Sequence, residues 1–141
     1  MFTKLDHLIV AVKDLEKAEN NYKKLFGIAP VWRGNHKDLG TSNSLFNFEN
    51  TYLELLSSSG NGVGADLVDQ YLSESGEGLM GMVFVTENID SVRHSLKEEG
   101  FLVGELTSGQ GINAFDHQIR KWKSLFLPNE LTRGIFSFVI E

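Results

Sequence analysis

From Lys4 to Ala18, in KLDHLIVAVKDLEKA, the spacing of apolar residues changes from an alternating pattern to a helical one. Leu5, His7, Ile9 and Ala11 fall on one side of a strand and Leu8, Val10 and Val12 on the other, so the strand is predicted to be covered on both faces. Asp14 stands where an N-cap belongs, and Leu15, Ala18, Tyr22, Leu25 and Phe26 follow at helical spacing until Gly27 supplies a stop. Lys17, Glu19, Lys23 and Lys24 occupy the other positions of this helix. Beyond it the pattern predicts a short strand over 28–33, a polar loop over 34–43 (GNHKDLGTSN), and strands over 44–48 and 52–57 joined by a turn at Glu49 and Asn50. In the last strand Tyr52, Glu54 and Leu56 share a face opposite Leu53 and Leu55. A carboxylate between leucines in a strand needs a partner, as does the histidine at position 7.

A glycine- and serine-rich stretch over 57–64 and a short helix over 65–72 separate this half from a second one. There the strand over 79–86 leads to an N-cap at Asn88 and to a helix carrying Ile89, Val92 and Leu96 inward before Gly100. Matching Asp14-Leu15 with Asn88-Ile89 sets Val10 on Phe84 and His7 on Gly81. Further strands are predicted over 102–106, 120–127 and 134–141, with SGQGIN (108–113) read as a loop matching the one after Arg33. The fold class is therefore α+β: two βαβββ modules, 1–58 and 79–141, joined by a helical linker over 59–78 in a single domain.

Composition narrows the class of partner. With 41% hydrophobic and 23% charged residues over 141 positions, the chain has the make-up of a soluble globular protein. A net charge of -6 with scattered Lys and Arg gives no nucleic-acid footprint, and no apolar run is long enough to span a membrane. The amino terminus lacks the features of a secretory signal, so a cytoplasmic location is expected. The absence of cysteine removes thiolate metal sites and cysteine nucleophiles, and neither a phosphate-cradling glycine loop nor a nucleophile elbow is present. A small-molecule substrate remains.

The DHLIVAVKDLEKA opening, the spacing His36-x3-Gly40-Thr41-x-Asn43 and the following Tyr52-Leu-Glu54-Leu-Leu together resemble the vicinal oxygen chelate superfamily, and within it the glyoxalase-like domain branch. The stretches RKWK (120–123) and FSFVIE (136–141) are similar to that branch's closing segments. The resemblance implies a curled mixed sheet forming a cup (the glyoxalase/bleomycin-resistance fold), and metal ligands on the first and last strand of each half. Carried over by position, these are His7, Glu54 and Glu141, while the fourth position falls on Gly81, which has no donor. It also places the His36, Thr41 and Asn43 segment at the edge of the cavity. Tyr52 and Trp122 are expected to line the same pocket. Thr41 and Asn43 have the alternative of bonding their own backbone in a turn. His117 is a weaker candidate, and His94 belongs to the helix surface.

Imidazole and carboxylate facing one cavity offer the nitrogen and oxygen set that Zn, Mn, Fe, Co or Ni accepts. The other reading of His7 and Glu54 is a core histidine hydrogen-bonded to a buried acid. Under the first, the resemblance implies a divalent-metal-dependent lyase or isomerase acting on a small oxygen-rich substrate, with Glu54 a ligand and Glu141 able to move a proton. The rival is a metal-free, bleomycin-resistance-like binding protein in which Gly81 opens space for a ligand. A dioxygenase is a further alternative, for which the missing second histidine is an obstacle. A homodimer is expected from the superfamily's habit of sharing cups between chains. Sedimentation at micromolar concentration should show it, and a monomer there would contradict it.

Overall fold

Two strand-and-helix halves close on each other as an eight-stranded barrel in the computed structural model, which describes residues 2–141. In chain order the elements are β1 (Phe2–Ala11), α1 (Leu15–Phe26), β2 (Trp32–His36), β3 (Thr41–Asn47), β4 (Tyr52–Ser58), α2 (Val63–Ser75), β5 (Gly78–Thr86), α3 (Ile89–Glu98), β6 (Thr107–Asn113), β7 (Ile119–Phe126), α4 (Asn129–Thr132) and β8 (Phe136–Ile140). The strands run β1-β4-β3-β2-β6-β7-β8-β5 around the barrel. Each half contains one parallel pair, β1 with β4 and β5 with β8. The halves meet along the antiparallel β1–β5 ladder, and on the far side through the Gly34–Asn113 and Asn35–Ile112 pairs of β2 and β6. This is the α+β architecture of two modules that the repeat predicts, with the curled mixed sheet that the family resemblance implies, its rim drawn together by that second contact.

Local chemistry sets the helices. The Asp14 carboxylate accepts from the Lys17 amide at 2.9 Å, Gly27 closes α1 at φ 68°, and the Asn88 side chain accepts from the Ser91 amide at 2.8 Å to start α3. α1 covers the outer face of the first half, where Leu15, Tyr22 and Phe26 pack on Val12, Phe46 and Leu55. α3 covers the second, with Ile89 and Val92 against Leu125 and Val139. Val68 of α2 joins Ile9, Ala11, Met80 and Val83 in a third cluster. Leu53 and Leu55 thus turn outward to α1, and the alternation of β4 sends Tyr52 and Glu54 the other way, into the barrel.

The two glycine-bearing segments read as loops are strands. Only residues 37–40 turn between β2 and β3, and SGQGIN lies within β6, whereas no strand forms over 102–106, where Leu102 is exposed. The glycines are there because neighbouring side chains lie across their backbone. A Cβ on Gly109 would stand 2.4 Å from the Trp122 ring, one on Gly111 3.1 Å from the His36 ring, and one on Gly34 2.2 Å from the Trp32 indole nitrogen. Two helix positions also differ from the pattern. Leu25 is exposed, and Glu19 is buried, accepting from the Ser44 hydroxyl at 2.8 Å with the Arg33 Nε at 3.2 Å. The helix turns that edge toward β3, and the carboxylate finds partners there.

Candidate functional site

Register brings the first-half residues together. His7 pairs with Tyr52 and Ile9 with Glu54 across the parallel β1–β4 ladder, so both chemistry-bearing side chains enter the barrel from adjacent strands. His7 Nε2 lies 3.1 Å from Glu54 Oε2, and His7 Nδ1 lies 3.0 Å from Oδ2 of Asp6. The Asn43 amide donates to the other Glu54 oxygen, Oε1, at 2.6 Å. Tyr52 stacks on the His7 ring at 4.4 Å between centroids, and Phe138 meets it edge-on at 6.4 Å. The His36 ring bonds Thr41 Oγ1 through Nδ1 at 2.9 Å and meets Trp122 edge-on at 5.6 Å. His36, Thr41 and Asn43 thus sit on facing strands rather than in a loop, and Thr41 and Asn43 bond side chains across the sheet.

The electrostatics follow from this geometry. Burial on its own lowers the His7 pKa, yet Asp6 and Glu54 on its two ring nitrogens outweigh it and hold the pKa above 6.5. Burial raises the Glu54 pKa, and the hydrogen bond and charge of His7, with His36 and Asn43, bring it below the ordinary carboxylate value. Asp6 behaves likewise, with His7 and Tyr52 overcoming its desolvation. His36 is the opposite case: burial lowers its pKa and the Glu54 charge only partly offsets this. Tyr52 is raised, by burial and by the neighbouring Asp6 and Glu54. The ionised form of the first group is an imidazolium donating to a carboxylate on either side, and His36 is a neutral imidazole.

Glu141 lies elsewhere. Strand parity groups it with Ser137 and Val139, which are buried with Val139 under α3, and opposite to Phe136, Phe138 and Ile140. Its carboxylate accepts from the Ile89 amide at 2.7 Å at the start of α3, a favourable place for negative charge. Its backbone exchanges two hydrogen bonds of 3.1 Å with Lys123, so the residue is tied to β7. A cavity of about 550 Å³ opens beside it, lined among others by Asp38, Gly109, Trp122 and Lys123, and neither His7 nor Glu54 borders it. His117 is exposed at φ 60°, and His94 pairs with Glu98 on the surface of α3.

The β5–β8 ladder repeats the β1–β4 ladder with different residues. Gly81 pairs with Phe136 and Val83 with Phe138, so the register sets Gly81 on His7, Phe136 on Tyr52 and Phe138 on Glu54. Gly81 opens no space for a ligand. A Cβ there would stand 2.3 Å from the Phe136 carbonyl oxygen and 3.0 Å from its ring. The donor set for a divalent ion is therefore His7 with Glu54. Among the described residues no group of three His, Cys, Asp or Glu side chains converges as a metal site. The Asn43 Oδ1, buried without a partner, is turned toward Gly34. Two protein donors fall short of the three that a catalytic zinc site supplies.

Asp6 escaped the sequence reading. It falls at an irregularity of β1, between the Leu5–Phe84 and His7–Val83 pairs, which breaks the strict alternation and lets its carboxylate meet His7 Nδ1, a long-range feature that spacing alone does not show.

The Glyoxalase-like domain family matches residues 5–141. The chain belongs to that family. No curated protein matches the sequence at a significant level. Among solved structures, a variant of Streptomyces coelicolor methylmalonyl-CoA epimerase in complex with 2-nitronate-propionyl-CoA superposes with a TM-score of 0.75 at 18% identity, over 99% of this chain and 97% of that one. Methylmalonyl-CoA epimerase from Mycobacterium tuberculosis gives 0.78 at 20% identity, over 99% and 88%. A hypothetical protein from Bacillus halodurans gives 0.78 at 18%, over 98% and 93%. These likenesses establish the fold.

The titration directions predict opposite behaviour of the two buried histidines. His7, with its native pKa raised, contributes stability that is complete below the unfolded value of 6.5 and is lost as pH climbs through the native value. Glu54 and Asp6, held low, contribute above the ordinary carboxylate range and lose that contribution as pH falls through their native values. His36, lowered, contributes above 6.5 and loses it toward acid. Histidine NMR across pH should place the His7 midpoint above 6.5 and that of His36 below it. The reverse order would contradict the hydrogen-bonded arrangement.

Proposed function

We propose that this glyoxalase-like protein is an enzyme that moves a proton on the carbon beside a carbonyl in a small oxygen-rich substrate, a lyase- or isomerase-type reaction. The observation that carries the reading is the contrast between the two halves. The same strand junction is filled by Gly81, Phe136 and Phe138 in the second half, so the fold does not need His7 and Glu54 there. Replacing a buried ion pair by packed apolar groups is often neutral or stabilising. A polar pair kept in the first half is better explained by chemistry than by packing.

In this reading the Glu54 carboxylate takes the substrate proton. His7, donating to Oε2, and Asn43, donating to Oε1, hold it in place and set its basicity. Asp6 fixes the orientation of the His7 ring from the other side. We assign the Thr41 hydroxyl as donor in its 2.9 Å contact with Nδ1, so that His36 carries its proton on Nε2 and offers it, as a neutral imidazole, to the oxygen that gains charge. In this reading the substrate approaches from the cavity that Trp122 borders, the Trp122 ring meeting that of His36 edge-on. Arg120, two residues before Trp122 on β7 and stacked over Trp32 at 4.4 Å from the ring centroid, adds a cation for an anionic substrate. The homodimer and the cytoplasmic setting expected from the sequence belong to the same reading. The dioxygenase alternative has no histidine at the Gly81 position, and the binding-protein alternative loses the space it required there.

Hydrogen–deuterium exchange at the α-carbon tests the proposal. A panel of 2-oxo acids, 2-hydroxy acids, hydroxyketones and, given what the epimerases named above act on, an acyl-CoA thioester such as methylmalonyl-CoA is incubated with the protein in heavy water and read by NMR. Protein-dependent exchange is expected for one class, falling by about 10²- to 10⁴-fold in Glu54→Gln with the fold retained. Exchange that is undiminished in folded Glu54→Gln and His7→Asn would overturn the assignment.

A further inference from the structure

The second half carries more than a missing ligand. Gly81 cannot be exchanged for histidine without moving Phe136, because the carbonyl oxygen of that residue occupies the place of a Cβ. Phe138 stands where the register would set a carboxylate equivalent to Glu54, and its ring contacts those of Phe126 and Phe136 at 5.4 and 5.5 Å between centroids. Ile9 and Val83, both buried, continue this apolar lining on β1 and β5. The Glu141 carboxylate is turned away to the α3 amide.

We infer that the His7–Glu54 pair is a metal-free site: the aromatic wall of the second half leaves no donor across from it, and the protein holds no resident divalent ion there. An ion seated between His7 Nε2 and Glu54 Oε2 would keep only these two protein ligands and would need water oxygens for the rest of its shell. The side facing them is lined by Phe138 and Val83, which offer no hydrogen-bond partner to such waters. Tyr52 covers the His7 ring in stacking contact. Dehydration of the ion would then go without compensation. The inference concerns occupancy of the site and stands apart from the proton-transfer proposal, since metal content is read without a substrate.

The test uses the full chain without an affinity tag. Elemental analysis of the purified protein, followed by calorimetric titration with Zn²⁺, Mn²⁺ and Ni²⁺, should give far less than one ion per chain and no saturable binding that His7→Asn removes. Phe138→Glu, which puts a third donor across from the pair, should bring in saturable binding at least about tenfold tighter than any weak wild-type uptake, since even an outer-shell partner of a metal site is worth about 10- to 100-fold. A stoichiometric ion in the wild-type protein that is lost in His7→Asn would overturn the inference. If Phe138→Glu does not fold, the wild-type and His7→Asn measurements decide alone. Loss of α-proton exchange on its own would bear on the proposed reaction and leave the metal result standing.

Discussion

The hydrogen bond between His7 and Glu54 depends on one structural fact, the parallel register of β1 and β4. It sets Ile9 beside Glu54 and His7 one step away on the same face, close enough for a 3.1 Å contact inside the barrel. Everything else in the polar cluster is arranged around that contact. Asn43 on β3 completes the carboxylate, and Asp6 completes the imidazole. Breaking one partner of such a buried pair leaves a charge without compensation and costs about 3–5 kcal/mol, so the cluster is committed as a unit.

The barrel's internal symmetry gives the pair its meaning. Two halves of the same topology bury different chemistry at the same junction, an imidazole and a carboxylate in one and glycine with phenylalanines in the other. The helices that cover the two halves are capped in the same manner at their N-termini and each packs an apolar stripe on its own half, whereas the strand junctions inside differ. The closed β2–β6 contact brings the His36 and Trp122 rings across glycines of β6, and links the cluster to the cavity at the barrel's edge. The site is one-sided: the first half supplies the ionisable groups, and the second supplies an apolar wall.

Periodicity carried most of the fold. The alternation in KLDHLIVAV, the caps at Asp14 and Asn88, and the repeat of strand and helix are local signals that tertiary packing reinforces. Gly34, Gly109 and Gly111 read as loop residues because glycine's usual role is a turn. Here each one is a flat place in a strand on which a ring from elsewhere in the chain lies, a long-range contact that spacing does not encode. Glu19 was misread for a similar reason, its partners Ser44 and Arg33 being distant in sequence. Of the site, the proximity of His7 and Glu54 follows from two strands with inward parity. The place of Glu141 turns on that same parity one residue later, where a shift of one position moves a side chain to the other face.

A double-mutant cycle on unfolding free energy addresses the central interaction most directly. His7→Gln, Glu54→Gln and the double variant are compared with the wild type by urea denaturation at neutral pH. A hydrogen-bonded buried pair gives a coupling of about 1 kcal/mol or more between the two substitutions, whereas effects that add to within about 0.5 kcal/mol would mean that the two side chains do not act on one another and that the cluster is not the organising feature of this barrel.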